Sequence, residues 1–164
     1  MDNIVSLLTD VRHRYVTLAS LGNVDSTTRM ENVRVLIDTG AFNTMIDRAL
    51  AEKFATLLPD SMAISIGGKT GKAQICIIHS LTLSGGITLN RVAALAYPFD
   101  DWLLRHIILG TNVLNNWKFT ISRSSDTLWF TEELPSDASN KEYPYQNFFV
   151  DSRYIAVQEI NFVI

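Results

Sequence analysis

Two apolar runs, each closed by a glycine that leads into a helical stretch, limit the folds open to this chain more than any other feature. The first, Val35-Leu36-Ile37, ends in Asp38-Thr39-Gly40-Ala41; the second, Ile107-Ile108-Leu109, ends in Gly110, seventy positions after Gly40. Runs of this kind, without polar alternation, read as buried strands rather than as half-solvated ones. A carboxylate at the end of such a strand is carried there by the fold, and the glycine behind it permits a tight turn.

Between and around the two runs the signal is β. "YVTLASL" alternates and ends at Gly22. "MAISIGG" leads into "KTGKAQICIIHSLTLSGGITLNRVAALAYPF", three or four strand-like segments divided by Gly67-Gly68, Gly71 and Gly85-Gly86. "LTLSGGITL" places apolar alternation about a Gly-Gly pair, the pattern of a hairpin. "KFTISRSSDTLWF" gives two further strands. Helix is confined to "DRALAEKFATLLPD", with Asp47 as N-cap and Pro59 as stop, and to a short piece in "TNVLNNW". From Glu132 the composition turns polar. Residues 1–131 therefore read as one domain and 132–164 as a linker with a terminal strand, "YIAVQEINFVI", that has to find an edge to pair with.

Composition removes several function classes. With 47% hydrophobic and 19% charged residues, the 164-residue chain can bury a core and is not a disordered segment. The formal charge of −3 and scattered Lys and Arg leave no basic field for nucleic acid. The single cysteine, Cys76, allows no intrachain disulfide and sits in an apolar strand as a packed thiol. His13, His79 and His106 have no metal-ligand spacing, so neither metal nor other cofactor is expected. Asp100-Asp101 reads as a solvated loop, and "GGKTGK" has the wrong spacing for a phosphate loop. No apolar stretch is long enough for a membrane span and the N-terminus lacks a secretory pattern, so a cytoplasmic protein is expected.

Taken in order, "VLIDTGA", the glycine-rich "IGGKTGKA" and "IILGTNVL" resemble the catalytic turn, the flap and the second glycine signature of the retropepsin-like, retroviral-type aspartic proteases. The resemblance covers about residues 15–130. It implies a mostly β, closed-barrel half-domain that forms a two-fold homodimer. It implies Asp38 as the catalytic carboxylate and Thr39, Gly40 and Ala41 as its supporting turn, with the Thr39 hydroxyl bonding across the dimer seam. Gly67, Gly68 and Gly71 fall on the flap. Ile108, Leu109 and Gly110 form the second signature, with Val113 and Leu114 beneath the turn. Many retroviral members follow Asp-Thr-Gly-Ala with an acidic residue, paired to an Arg just after the second glycine. This chain has Phe42 and Thr111 at those places, so that ion pair is not expected here.

The chemistry implied needs two carboxylates. Held about 3 Å apart they cannot both ionise, so one acts as base while the other acts as acid. This chain contains one Asp-Thr-Gly, and no other Asp precedes Thr-Gly or Ser-Gly. A second copy on a two-fold axis then has to supply the partner. The expectation is an endopeptidase acting on polypeptides and active as a homodimer. The alternative is a catalytically silent peptide-binding or dimerisation module. The tail is expected to pair with the body or across the dimer; a self-cleavage segment around "EYPYQNFF" and a strand that blocks the cleft are the other readings.

Overall fold

A computed structural model describes residues 4–9, 15–25, 27–66, 69–99, 106–116, 119–122, 127–130, 143 and 158–160. In chain order the elements are β1 (Ile4–Ser6), β2 (Leu8–Thr9), β3 (Tyr15–Gly22), β4 (Arg29–Ile37), β5 (Thr44–Asp47), α1 (Arg48–Phe54), β6 (Ala55–Ile66), β7 (Lys69–Leu83), β8 (Thr88–Tyr97), β9 (Ile107–Leu109), α2 (Thr111–Leu114), β10 (Phe119–Ser122), β11 (Thr127–Phe130) and β12 (Gln158–Ile160). The fold is mostly β, as the strand signal predicts.

Six strands close into a barrel. Going round, β3 pairs with β4, β4 with β9, β9 with β5, β5 with β8, β8 with β7, and β7 returns to β3. Closure removes the open edges that a flat sheet of these strands would present. The two apolar runs lie side by side: β4 and β9 are parallel, with Val35 opposite Ile107, Leu36 opposite Ile108 and Ile37 opposite Leu109. Their lack of polar alternation now has a cause. Val35, Ile37, Ile107 and Leu109 face one buried cluster, while Leu36 and Ile108 face a second on the other side, together with Met45 and Leu95. Residues covered on both faces favour continuous apolar sequence. Each such side chain, fully withdrawn from water, contributes about 1.5–3 kcal/mol before entropy is counted.

The hairpin between β7 and β8 turns at Ser84–Gly86, where Gly85 and Gly86 have φ of 90° and 85°, values that disfavour a side chain. Asp47 caps α1 by accepting from the Ala49 N–H at 3.2 Å, and its other oxygen accepts from the Phe99 N–H at 2.9 Å. The helix ends earlier than expected. Instead of running to Pro59 it stops at Phe54, and Ala55 is already extended, because residues from Ala55 pair with β7. Sheet pairing here overrides the helical pattern, as tertiary context often does. Pro59 lies within β6, in the interval where the pairing slips between Leu57 and Ser61. A residue without an N–H is tolerated at such a bulge, and the Gln74 side chain donates to the nearby Leu58 carbonyl at 2.7 Å.

Outside this ring, β6 pairs with β7 and β2 with β3. β1, β11 and β10 form a small separate sheet, β11 in the middle. β12 lies parallel along β6, Gln158 to Ile160 opposite Ile64 to Ile66. Tyr143 reaches back into the main core: it is fully buried, bridges to Val92, and its carbonyl accepts from the Ala93 N–H at 2.9 Å. No helix among the described residues is long and apolar enough to cross a membrane.

Candidate active site

Asp38 stands one step beyond β4. Its N–H donates to the Leu109 carbonyl at 3.1 Å, extending the β4–β9 ladder by one rung. The chain then turns: the Ala41 N–H donates to the Asp38 carbonyl at 3.3 Å, and the Gly40 N–H donates to Asp38 Oδ1 at 2.8 Å. A carboxylate held by its own turn has few rotamers left and is aimed by the backbone. Asp38 is 8% exposed, whereas Thr39 and Gly40 stand out at the surface. The carboxylate is therefore enclosed behind a protruding turn tip.

The segment after the turn crosses the segment after β9. The Thr111 N–H donates to the Ala41 carbonyl at 2.7 Å, and the Phe42 carbonyl accepts from the Asn112 N–H at 3.0 Å and from the Thr111 hydroxyl at 3.2 Å. Asn112 Oδ1 accepts both the N–H and the hydroxyl of Thr44, each at 2.8 Å; the Thr44 oxygen in turn accepts from the Gly110 N–H at 3.2 Å. Asn112 Nδ2 donates to the Ala93 carbonyl at 2.9 Å, which ties the crossing to β8. Thr44 is fully buried and Asn112 nearly so. Polar groups this deep are stable only when bonded, and these are.

Gly110 is demanded by contact. A Cβ there would sit 2.6 Å from the carbonyl carbon and oxygen of Asn43 and 2.8 Å from the Ala41 oxygen. All three are backbone atoms, so the crossing strands would have to separate. The second glycine thus lets the two apolar runs approach closely enough for the Asp38 turn to be clamped.

Of the residues singled out in the sequence, Asp38, Thr39, Gly40, Ala41, Ile108, Leu109 and Gly110 come together at this crossing, with Val113 and Leu114 buried just beyond it. Gly71 lies apart, in β7 opposite Ile64, where an added Cβ would sit 3.0 Å from the Tyr97 ring and hydroxyl. Gly67 and Gly68 lie outside the described residues, as do Asp100 and Asp101. Phe42 and Thr111, which stand where many retroviral members place an ion pair, touch through a hydroxyl–carbonyl hydrogen bond instead. Phe42 is 40% exposed.

Thr44 and Asn112 were not picked out by sequence reasoning. The available signal was a polar residue inside an apolar stretch at each place, "NTMI" and "TNVL". Cys76 is buried, and burial pushes its thiol up to about 12, so it is no nucleophile at ordinary pH. Among the described residues no three His, Cys, Asp or Glu side chains gather as a metal site would require.

The sequence profile of the family described as "Aspartyl protease" matches residues 22–113, a span that holds both glycine turns. Among solved structures, the chain is similar to a retropepsin-like aspartic protease from Rickettsia conorii. The TM-score is 0.46 at 16% identity, covering 77% of this chain and 87% of that one. No curated protein matches.

Proposed function

The chain belongs to the aspartyl protease family, and on that premise we propose that it is a homodimeric endopeptidase whose site is completed by the Asp38 of a second copy. The observation that carries the reading is Asp38 itself. It is the single Asp-Thr-Gly aspartate of the chain, enclosed at the end of a buried strand and hooked by the Gly40 N–H at 2.8 Å. One such carboxylate can take up or give a proton; concerted hydrolysis of an amide needs both actions at once.

In the proposed cycle, a water lies between the two Asp38 carboxyls, one ionised and one protonated. The ionised group takes a proton from the water as its oxygen bonds to the peptide carbonyl carbon. The protonated group gives its proton to the carbonyl oxygen. The resulting tetrahedral diol collapses with cleavage of the C–N bond: the amine nitrogen receives a proton from one carboxyl, the other carboxylate takes back a hydroxyl proton, and the pair again shares one. No cofactor takes part. Because the pair has to hold one proton, activity is highest at acid to near-neutral pH and falls in alkali.

The exposed Thr39 would meet its counterpart at the two-fold seam. The β6–β7 hairpin, with Gly67, Gly68 and Gly71, would close over an extended substrate as a flap and exclude water. Residues 132–164 are read as a structural extension, supported by the burial of Tyr143 and the pairing of β12 with β6. A cytoplasmic setting fits the single buried thiol.

The test is Asp38→Asn. The side chain keeps its size and can still accept from Gly40, but cannot serve as the base. Hydrolysis of a broad peptide library should vanish while sedimentation still shows the dimer. Undiminished cleavage by the variant would end the assignment.

A further inference from the structure

A groove of about 430 Å³ opens on the outer face of β6, β7 and β8, beneath the connection between β3 and β4. It is far from Asp38. Val16 pairs with Leu36 near the catalytic turn, whereas the groove lies at the Asn23 end of β3, seven residues further along. At about 3.3 Å per strand residue the separation is roughly 20 Å.

Its lining combines two chemistries. Val24, Leu58 and Ile77 supply apolar walls, and Val24 is 76% exposed. Arg91 supplies a permanent positive charge and His79 a titratable imidazole, the only such groups among the described residues of the lining. The ion pairs among the described residues are Arg29 with Glu31 and Arg48 with Glu52, so among these residues Arg91 has no carboxylate within reach. Burial, and then the Arg91 charge, hold His79 below the usual imidazole range. His79 Nε2 is hydrogen-bonded to the Thr56 hydroxyl at 2.8 Å, while its enclosed Nδ1 has no hydrogen-bond partner. Arg91 also sits at φ 56°, an uncommon conformation for a residue inside a strand. A guanidinium with no carboxylate within reach among the described residues, on a left-handed backbone and beside an imidazole with one ring nitrogen unbonded, is poorly explained by the needs of the fold.

We propose that this groove is a second polypeptide-binding site, which takes an extended segment by an acidic side chain against the Arg91 guanidinium and by a neighbouring apolar side chain against Val24, Leu58 and Ile77. An anion supplies the charge that the lining lacks, and the guanidinium fork suits a carboxylate. The apolar walls favour a peptide over a bare anion. The choice of a polypeptide occupant rests on the protease reading; the groove does not.

The test uses the full chain carrying Asp38→Asn, so that bound peptide survives. A labelled octapeptide of alternating Glu and Val is titrated by fluorescence anisotropy, and in parallel by amide chemical shift, against the same peptide with Gln for Glu and against inorganic phosphate. The Glu peptide should bind saturably, shifting Asn90, Arg91 and His79, with the Gln peptide at least tenfold weaker. Arg91→Asn, a residue type that tolerates positive φ, should weaken the Glu peptide by at least tenfold. On the Asp38 background, that variant should cleave a short uncharged substrate as before. Equal binding of Glu and Gln peptides, indifference to Arg91→Asn, shifts confined to the Asp38 end, or binding of phosphate without peptide would each overturn the proposal.

Discussion

Replacing Asn112 with alanine would strip the polar crossing beneath the Asp38 turn. The change removes three hydrogen bonds, two at 2.8 Å from Thr44 and one at 2.9 Å to the Ala93 carbonyl. The Thr44 hydroxyl can turn elsewhere, but the Thr44 N–H and the Ala93 oxygen are fixed by their strands, and the site is closed to solvent. Two stranded backbone groups at about 1–3 kcal/mol each give a loss of about 2–6 kcal/mol. Against a total stability of ~5–15 kcal/mol that is a large fraction. Urea unfolding is the assay. With a slope of about 2 kcal/mol per molar, a 4 kcal/mol loss moves the midpoint by about 2 M. The slope itself should not change. Thr44→Val leaves the Gly110 N–H unbonded and perturbs the same network, so the double variant should lose less than the two singles together, by at least about 0.5 kcal/mol. A loss under about 1 kcal/mol for Asn112→Ala, or strict additivity with Thr44→Val, would show that the crossing does not hold the turn.

Gly110→Ala should lower stability by several kcal/mol or prevent folding, because the new methyl meets backbone at 2.6 Å; circular dichroism and proteolysis report it. Tyr143→Ala should cost about 3–5 kcal/mol in thermal or urea unfolding, since an aromatic ring with no exposure leaves a core cavity. By the same reasoning, chains cut at residue 133 should be unstable rather than hyperactive. Stability should also fall as pH drops. The folded state holds His106 below the usual imidazole range through burial and then the Arg34 charge, with Asp47 opposing. The unfolded chain therefore takes up the proton first, and stability declines from about pH 6.5 until the folded value is passed. His106→Gln should flatten that decline in pH-dependent unfolding.

Much of the site was legible because its signals are local. Asp38-Thr39-Gly40 marks a strand end and a turn in consecutive residues, Gly85-Gly86 marks a hairpin, and Asp47 marks a helix start. The lack of polar alternation in Val35–Ile37 and Ile107–Leu109 reports burial, though not that the two runs pair in parallel. Features set by distant partners were hidden. Phe54 ends its helix because of residues on β7, Tyr143 looks like a linker residue until Val92 and Ala93 are beside it, and Thr44 and Asn112 are ordinary residues until the crossing brings them together.

That crossing also sets when the site can exist. The Thr44–Asn112 bond joins positions 68 apart, and the Asp38 N–H waits for Leu109. Closing such long loops comes at an entropic cost before any contact rewards it, and folds dominated by distant pairings form slowly. A chain emerging from the ribosome carries Asp38 early but cannot fix its geometry until Asn112 has been made. On the protease reading, incomplete chains would lack a formed site, and the order of synthesis would act as a built-in delay on proteolysis.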